Sequence, residues 1–247
     1  MAISIDTVYQ KVLAFANKEQ RGYITPQEFN LFADQAQIEI FEQYFYDINQ
    51  WSGQHGNNTS HSDMLTNLEE KVSLFERYDR LVTVGNTYGD VNLSVELPHL
   101  YRIVMVRVDY ENNSVFRDAE EIQLNELNKY GTSPLGKWTK KRPVYTRYSF
   151  SGGKNLKVYP YPSSDSTIDR VLISYIQAPV TPSWGYVVVN DKALYNSTSS
   201  THFELHPSEE SELVYRILAF AGIAIEKPQL TQVAAGAISA QIQQEKQ

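Results

Sequence analysis

The run from Arg142 to Trp184 constrains the fold more than any other stretch of the chain. It reads as three strands separated by marked turns. Val144 to Phe150 leads into Ser151-Gly152-Gly153-Lys154-Asn155, Leu156 to Tyr161 runs away from that turn, and Val171 to Gln177 returns after a polar loop. Gly152 and Gly153 can take positive φ at no steric cost, which a tight hairpin needs. Pro143, Pro160, Pro162, Pro179 and Pro182 stand at strand ends, where a missing N–H interrupts least of a ladder.

Helical patterns flank this run on both sides. Ser4 or Asp6 is placed to cap a first helix carrying Ile5, Val8, Val12 and Phe15, which ends near Arg21-Gly22. Thr25-Pro26-Gln27-Glu28 is the strongest local start signal: Thr at the N-cap, Pro at the first helical position, and Glu three residues on to close a capping box. Phe29, Ala33, Ala36, Ile40 and Tyr44 then line one face of a helix to about Asp47, with Phe41, Phe45, Tyr46 and Trp51 crowding its end. Residues 50–62 read as a polar loop, and a third helix follows with Leu65, Leu68, Val72 and Phe75 on one side.

The period changes at Leu81. Val91, Leu93, Val95 and Leu97 alternate as in a half-buried strand, and Tyr101 to Tyr110 is a longer β-favouring run. Asp118 to Tyr130 returns to helical spacing through Ile122, Leu124 and Leu127, with Gly131 as a stop. Gly185 to Tyr195 reads as another strand pair. Ser208 is placed to cap a helix with Glu209, Glu210 and Glu212 in its first turn and Leu213, Ile217, Phe220 and Ala224 on its buried face. After Pro228, a narrow apolar stripe of Leu230, Val233, Ala237 and Ile242 continues into a Gln-rich end, a form suited to docking on a neighbouring subunit, with Leu230, Val233, Ile238 and Ile242 as its contact candidates, or to packing back on its own domain. The expected class is α+β, with N- and C-terminal helices framing a central antiparallel β-rich region. The expected layout is a single domain over 1–247: a helical part over 1–80, a β-rich part over 81–205 with a short helix near 118–130, and C-terminal helices over 206–247.

Composition narrows the function classes. A net charge of −7 argues against a dedicated nucleic-acid binder, although an acidic wall suits a conduit along which DNA slides. Cysteine is absent, which removes disulfides and thiolate metal sites. The N-terminal residues have no signal-peptide pattern, and no segment approaches about 18 consecutive apolar residues, so neither export by a signal nor a membrane span is expected. The 17 tyrosines suit sheet faces and subunit contacts; Tyr145, Tyr148, Tyr159 and Tyr161 are the candidates in the central strands.

No constellation of catalytic groups stands out. Asp109 to Ser114, with Glu120 at the twelfth place, nearly follows a calcium-loop spacing. Ser114 occupies the glycine place, Arg117 the ninth, and a strand precedes the loop, so a β-turn is expected. His202 and His206 are four apart, but Phe203-Glu204-Leu205 alternates like a strand and Pro207 follows, so surface and capping roles are expected. Glu120-Glu121 and Glu209-Glu210 are paired acids at helix starts, where the helix dipole favours them. Lys137-Trp138-Thr139-Lys140-Lys141-Arg142 is the one basic cluster, read as a solvated loop or half of a charged subunit contact. No catalytic residue, metal or cofactor is expected, and the protein is not expected to be an enzyme.

The strand at Pro143-Val144-Tyr145, the glycine hairpin, Leu156 to Pro162 and Ile173 to Pro179 together resemble a pattern in head–tail connector and tail-tube proteins of short-tailed phages. Phe203 to Val214, leading into a C-terminal helix, is similar to the same group. Thr7 to Val12 and Tyr23 to Pro26 resemble virion structural proteins of crAss-like and related phages. The resemblance implies a virion protein assembled in the host cytoplasm. It implies a homo-oligomeric ring, commonly dodecameric, that docks to the portal and to other connector or tail proteins. DNA would pass through its channel without sequence-specific binding. A tail-fibre adaptor or carbohydrate-binding module is the alternative.

Overall fold

A computed structural model describes residues 3–17, 24–52, 59–85, 88–111, 113–150, 153–165, 169–190, 192–224, 232 and 235–240. In chain order the first elements are α1 (Ile5–Asn17), α2 (Pro26–Ser52), α3 (Thr59–Ser73), β1 (Glu76–Val82) and β2 (Asp90–Asn92). The helical turn α4 (Leu93–Glu96) precedes β3 (Leu100–Asp109), β4 (Arg117–Asp118), β5 (Glu120–Glu121) and α5 (Leu127–Thr132). Then come β6 (Val144–Phe150), β7 (Gly153–Tyr159), β8 (Arg170–Gln177), β9 (Tyr186–Val189), β10 (Lys192–Tyr195) and α6 (Glu210–Ala224). The chain is α+β, with helices toward both ends and a largely antiparallel middle.

Two compact units divide the chain: Met1–Leu74 together with Pro179–Gln247, and Phe75–Ala178. This differs from the expected layout at two places. Strand structure begins at Glu76, inside the part expected to be helical, and the β9–β10 hairpin belongs with the helices.

The first unit is built on α1, α2, α3 and α6. The capping box forms as its spacing requires: Glu28 N–H donates to Thr25 Oγ1 at 3.3 Å, and the Glu28 carboxylate accepts from Thr25 N–H at 2.9 Å. Phe29, Ala33, Ala36, Ile40 and Tyr44 are all buried on one stripe of α2. On α1 the buried face is Ile5, Val8, Tyr9, Val12 and Ala16, while Phe15 turns outward. Leu213, Val214, Ile217 and Ala221 bring the apolar face of α6 to this core. The start of that helix departs from expectation. A 3-10 turn over Pro207–Glu209 precedes it, and the His206 side chain, instead of Ser208, accepts the capping N–H. Pro207 at the first position of that turn puts the cap two places earlier.

Buried polar groups in this unit are paired across elements. Gln37, fully buried, donates to the Val180 carbonyl at 2.9 Å and accepts from Glu204 N–H at 3.2 Å. Arg216 on α6 reaches Glu39 at 3.2 Å and Gln43 on α2, as well as Glu212 one turn back. Lys71 meets the buried Glu209 at 2.6 Å. Such groups lose little once satisfied and cost several kcal/mol when one partner is removed, roughly 3–5 for a buried pair.

The second unit stacks two four-stranded sheets in the orders β1-β8-β3-β4 and β2-β7-β6-β5. Val106, Val108, Val171 and Ile173 from one sheet share a core with Val91, Leu156, Val158 and Tyr145 from the other. The period-2 alternation of β7 puts Leu156 and Val158 inward and Lys157 outward, as a half-buried strand demands. β6 and β7 pair from Val144↔Tyr159 up to Phe150↔Gly153, so the ladder extends further toward the tip than the expected turn allowed; residues 151 and 152 lie outside the described residues.

Two local expectations in this unit are corrected. The segment expected as a helix over 118–130 is extended until Glu121, and only Leu127–Thr132 is helical. β5 lies parallel to β6, with Glu120 N–H on the Pro143 carbonyl and Ile122 N–H on the Tyr145 carbonyl, which pulls the chain flat along the sheet edge. The expected strand through Val91, Leu93, Val95 and Leu97 stops at Asn92. Leu93 and Leu97 are both buried because a single helical turn puts residues four apart on one side, and Leu97 N–H donates to the Leu93 carbonyl at 2.9 Å. Val95, on the other side of that turn, is exposed.

Candidate functional site

The outward face of the β2-β7-β6 sheet gathers a connected set of aromatic and polar side chains. Register puts Asp90, Lys157 and Thr146 in one row across three strands. Lys157 Nζ stands 3.6 Å from Asp90 Oδ1, and Tyr148 reaches across the middle strand so that its hydroxyl donates to the same oxygen at 2.8 Å. The Lys157 ammonium also lies 5.7 Å from the Tyr88 ring centroid and 5.4 Å from that of Tyr161, within cation–π range of both.

Aromatic rings continue from this point into the interior. Tyr88 and Tyr161 meet nearly edge to face, with centroids 6.1 Å apart and planes at 85°. Tyr161 lies 5.2 Å from Tyr159, which lies 4.9 Å from Trp138. Trp138 and Leu127 cover a small second core of Ile122, Val144 and Tyr159 on this same outward face. The segment after β5 thus folds over half of the face and leaves the Tyr88–Tyr161 end open.

Burial sets the electrostatics. Desolvation, together with its hydrogen bond to Asp90, pushes the Tyr148 phenol up to about 12. Burial also raises Tyr159, with a smaller contribution from Tyr161, and burial beside Glu121 raises Tyr145 to about 12. These hydroxyls stay neutral throughout the physiological range, and those of Tyr145 and Tyr148 donate to Glu121 and Asp90.

The residues expected at a subunit contact separate into three groups. Tyr145 and Tyr159 are buried within their own unit, Tyr145 between the sheets and Tyr159 beneath Trp138, so neither is available to a neighbour. Tyr148 is half-buried and engaged with Asp90, while Tyr161 is exposed. Leu230, Val233 and Ile242 lie outside the described residues; Ile238 is half-buried in a helical stretch over 235–240. Tyr88, which completes the open corner, carries no signal in the sequence beyond its place before Gly89.

The near-calcium loop is a turn. Glu111 and Ser114 hold positive φ, Asp109 Oδ2 accepts Ser114 N–H at 3.1 Å and the Arg170 guanidinium at 2.6 Å, and Asp169 accepts Glu111 N–H at 2.8 Å. The carboxylates bind backbone and arginine donors, which is the chemistry of a braced turn. Among the described residues no three His, Cys, Asp or Glu side chains are grouped to hold a metal ion. His202 Nδ1 accepts Ile5 N–H at 3.3 Å, and His206 caps the turn before α6. In the basic cluster, Lys140 pairs with Glu111 at 2.5 Å, and Trp138 packs on Tyr159. Among the described residues no helix is long and apolar enough to cross a membrane.

No protein-family model matches the chain, and no curated protein matches it either.

Proposed function

We propose that this chain is a virion structural protein, a ring-forming component of the head–tail connector or tail barrel of a short-tailed phage, and not an enzyme. In this reading the copies close into a ring, dodecameric by the resemblance, through a head-to-tail interface. The ring docks to the portal or an adjacent ring in the virion and encloses the channel through which DNA leaves, contacting it without sequence preference.

The observation that supports this reading most is the β9–β10 hairpin. Among the described residues its two strands pair only with each other, and Val187, Val188, Val189 and Leu194 are all exposed, so both of its faces carry apolar side chains to the surface. A two-stranded ribbon of this kind is marginal by itself in water. Its base, however, is fixed: Trp184 is buried, and its ring lies 5.8 Å from those of both Tyr186 and Tyr195. Apolar side chains held at the surface on a fixed base suit a contact between subunits.

The test is the mass of the purified protein in solution, alone and mixed with the portal protein of the same virion. A ring in either sample supports the reading; a strict monomer in both overturns it.

A further inference from the structure

We propose that the corner between Tyr88 and Tyr161 is a binding site for a neutral saccharide, independent of the ring-forming role. Tyr88 is 61% exposed and Tyr161 48%, although the next ring inward, Tyr159, is only 6% exposed. Two large rings therefore stand partly in solvent at right angles to each other, with the Lys157 ammonium over both. One ring is a floor and the other a wall.

The chemistry of the rim matches a sugar. A pyranose presents a face of C–H groups, which packs on an aromatic ring, and an edge of hydroxyls that both donate and accept. At the foot of the corner stand an ammonium with three donors and a carboxylate that takes several at once, Lys157 and Asp90, 3.6 Å apart. Their charges set the sign of the ligand. Asp90 repels an anion and Lys157 a cation, while a neutral polyhydroxyl compound is served by both. The Tyr148 phenol, donating to Asp90, fixes the orientation of the carboxylate.

The corner is also preorganised. Gly89 holds φ +73° and has no room for a side chain: a Cβ there would fall 2.6 Å from the Val158 carbonyl oxygen and 3.2 Å from the Tyr161 ring. Its carbonyl accepts Val158 N–H at 3.0 Å. This close approach sets the spacing of Tyr88 from Tyr161, and the stack through Tyr159 to Trp138 holds the second ring from behind. Little side-chain freedom remains to be lost on binding.

The experiment screens the full-length protein against an array of neutral and N-acetylated oligosaccharides and follows the strongest hit by calorimetry and by tyrosine-ring NMR. Saccharide binding should weaken at least about tenfold in Tyr88→Ala and in Tyr161→Ala, persist in Tyr161→Phe, and be unchanged in Tyr78→Ala, an exposed tyrosine of the other sheet. Ring resonances of Tyr88 and Tyr161 should shift in the unmodified protein, which keeps the test independent of how the variants fold. No bound glycan, or binding indifferent to both alanine changes, overturns the proposal. So does a result in which the two changes alter only self-association, because the corner would then receive a second copy of the chain. Sedimentation of the same samples separates the two readings: rings that hold no glycan overturn this site alone, and glycan-binding monomers overturn the ring alone.

Discussion

The indole N–H of Trp184 donates to the carboxylate of Asp6 at 3.0 Å, tying the chain just ahead of the β9–β10 hairpin to the first turn of α1. The indole is almost wholly buried and also touches the Tyr9 ring, 4.3 Å away. Replacing Asp6 by Ala leaves that N–H buried without its acceptor and removes a carboxylate from a helix N-terminus. The expected loss is about 1–3 kcal/mol, read by urea unfolding. Trp184→Phe, which removes donor and bulk together, should lose packing at the hairpin base and loosen β9–β10, visible as faster hydrogen exchange across Tyr186↔Tyr195.

Thr25→Ala removes the acceptor for Glu28 N–H and one donor to its carboxylate. That carboxyl is held below the usual range by the Thr25 backbone N–H first and the hydroxyl second. The variant should lose about 0.5–2 kcal/mol of stability. The Glu28 carboxyl should also move back toward its ordinary value, an outcome measurable by NMR titration.

Gly131 lies inside α5, and a Cβ there would stand 2.8 Å from the Trp138 ring. Alanine would gain roughly 0.5–1 kcal/mol of helix preference. Overpacking the indole that seals Tyr159 costs about 1–3 kcal/mol. Gly131→Ala should therefore be net destabilising, with a changed tryptophan emission that Gly136→Ala, beside the smaller Ser133, does not reproduce.

Alkali should loosen the second unit. Tyr145 and Tyr148 are raised from 10 to about 12 in the folded state by burial and their carboxylate neighbours. The raised values mean that folding favours the protonated phenols. Their contribution is complete below pH 10 and is lost as the pH climbs through about 12. The melting temperature of the chain should fall across that window.

Val188→Lys places a charge at the middle of the exposed β9 without touching its backbone pairing with Ala193. If the hairpin joins copies, this change should convert rings to monomers with little change in melting temperature. Rings that survive it would remove the hairpin from the interface.

Local signals determine the structure where the neighbours in space are neighbours in sequence. Thr25 and Glu28 are three apart, and the α2 stripe from Phe29 to Tyr44 follows its own period. The β6–β7 hairpin is another such case. Local signals do not determine it where a distant segment decides. Ile122 has helical spacing, but β6 captures its backbone and Tyr159 its side chain. Tyr145 and Tyr159 look like surface tyrosines in an alternating strand, yet the opposite sheet covers one and Trp138 the other. Tyr88 and Tyr161 become partners only through the pairing of β2 with β7, and no property of either tyrosine alone announces it.

Gln177 N–H donates to the Phe75 carbonyl at 2.9 Å, so the β unit begins and ends at a single point. For the helical unit this turns a kinetic difficulty into a local one. Its two halves are separated by the whole of residues 75–178, and bringing such distant ends together carries a loop-closure entropy that grows with length. Once the β unit has folded, that long loop behaves as a short, rigid connector, and α6 finds α1 and α2 with far less searching. The middle of the chain is then expected to fold first, and a few residues joining Leu74 directly to Pro179 should replace it without unfolding the helices.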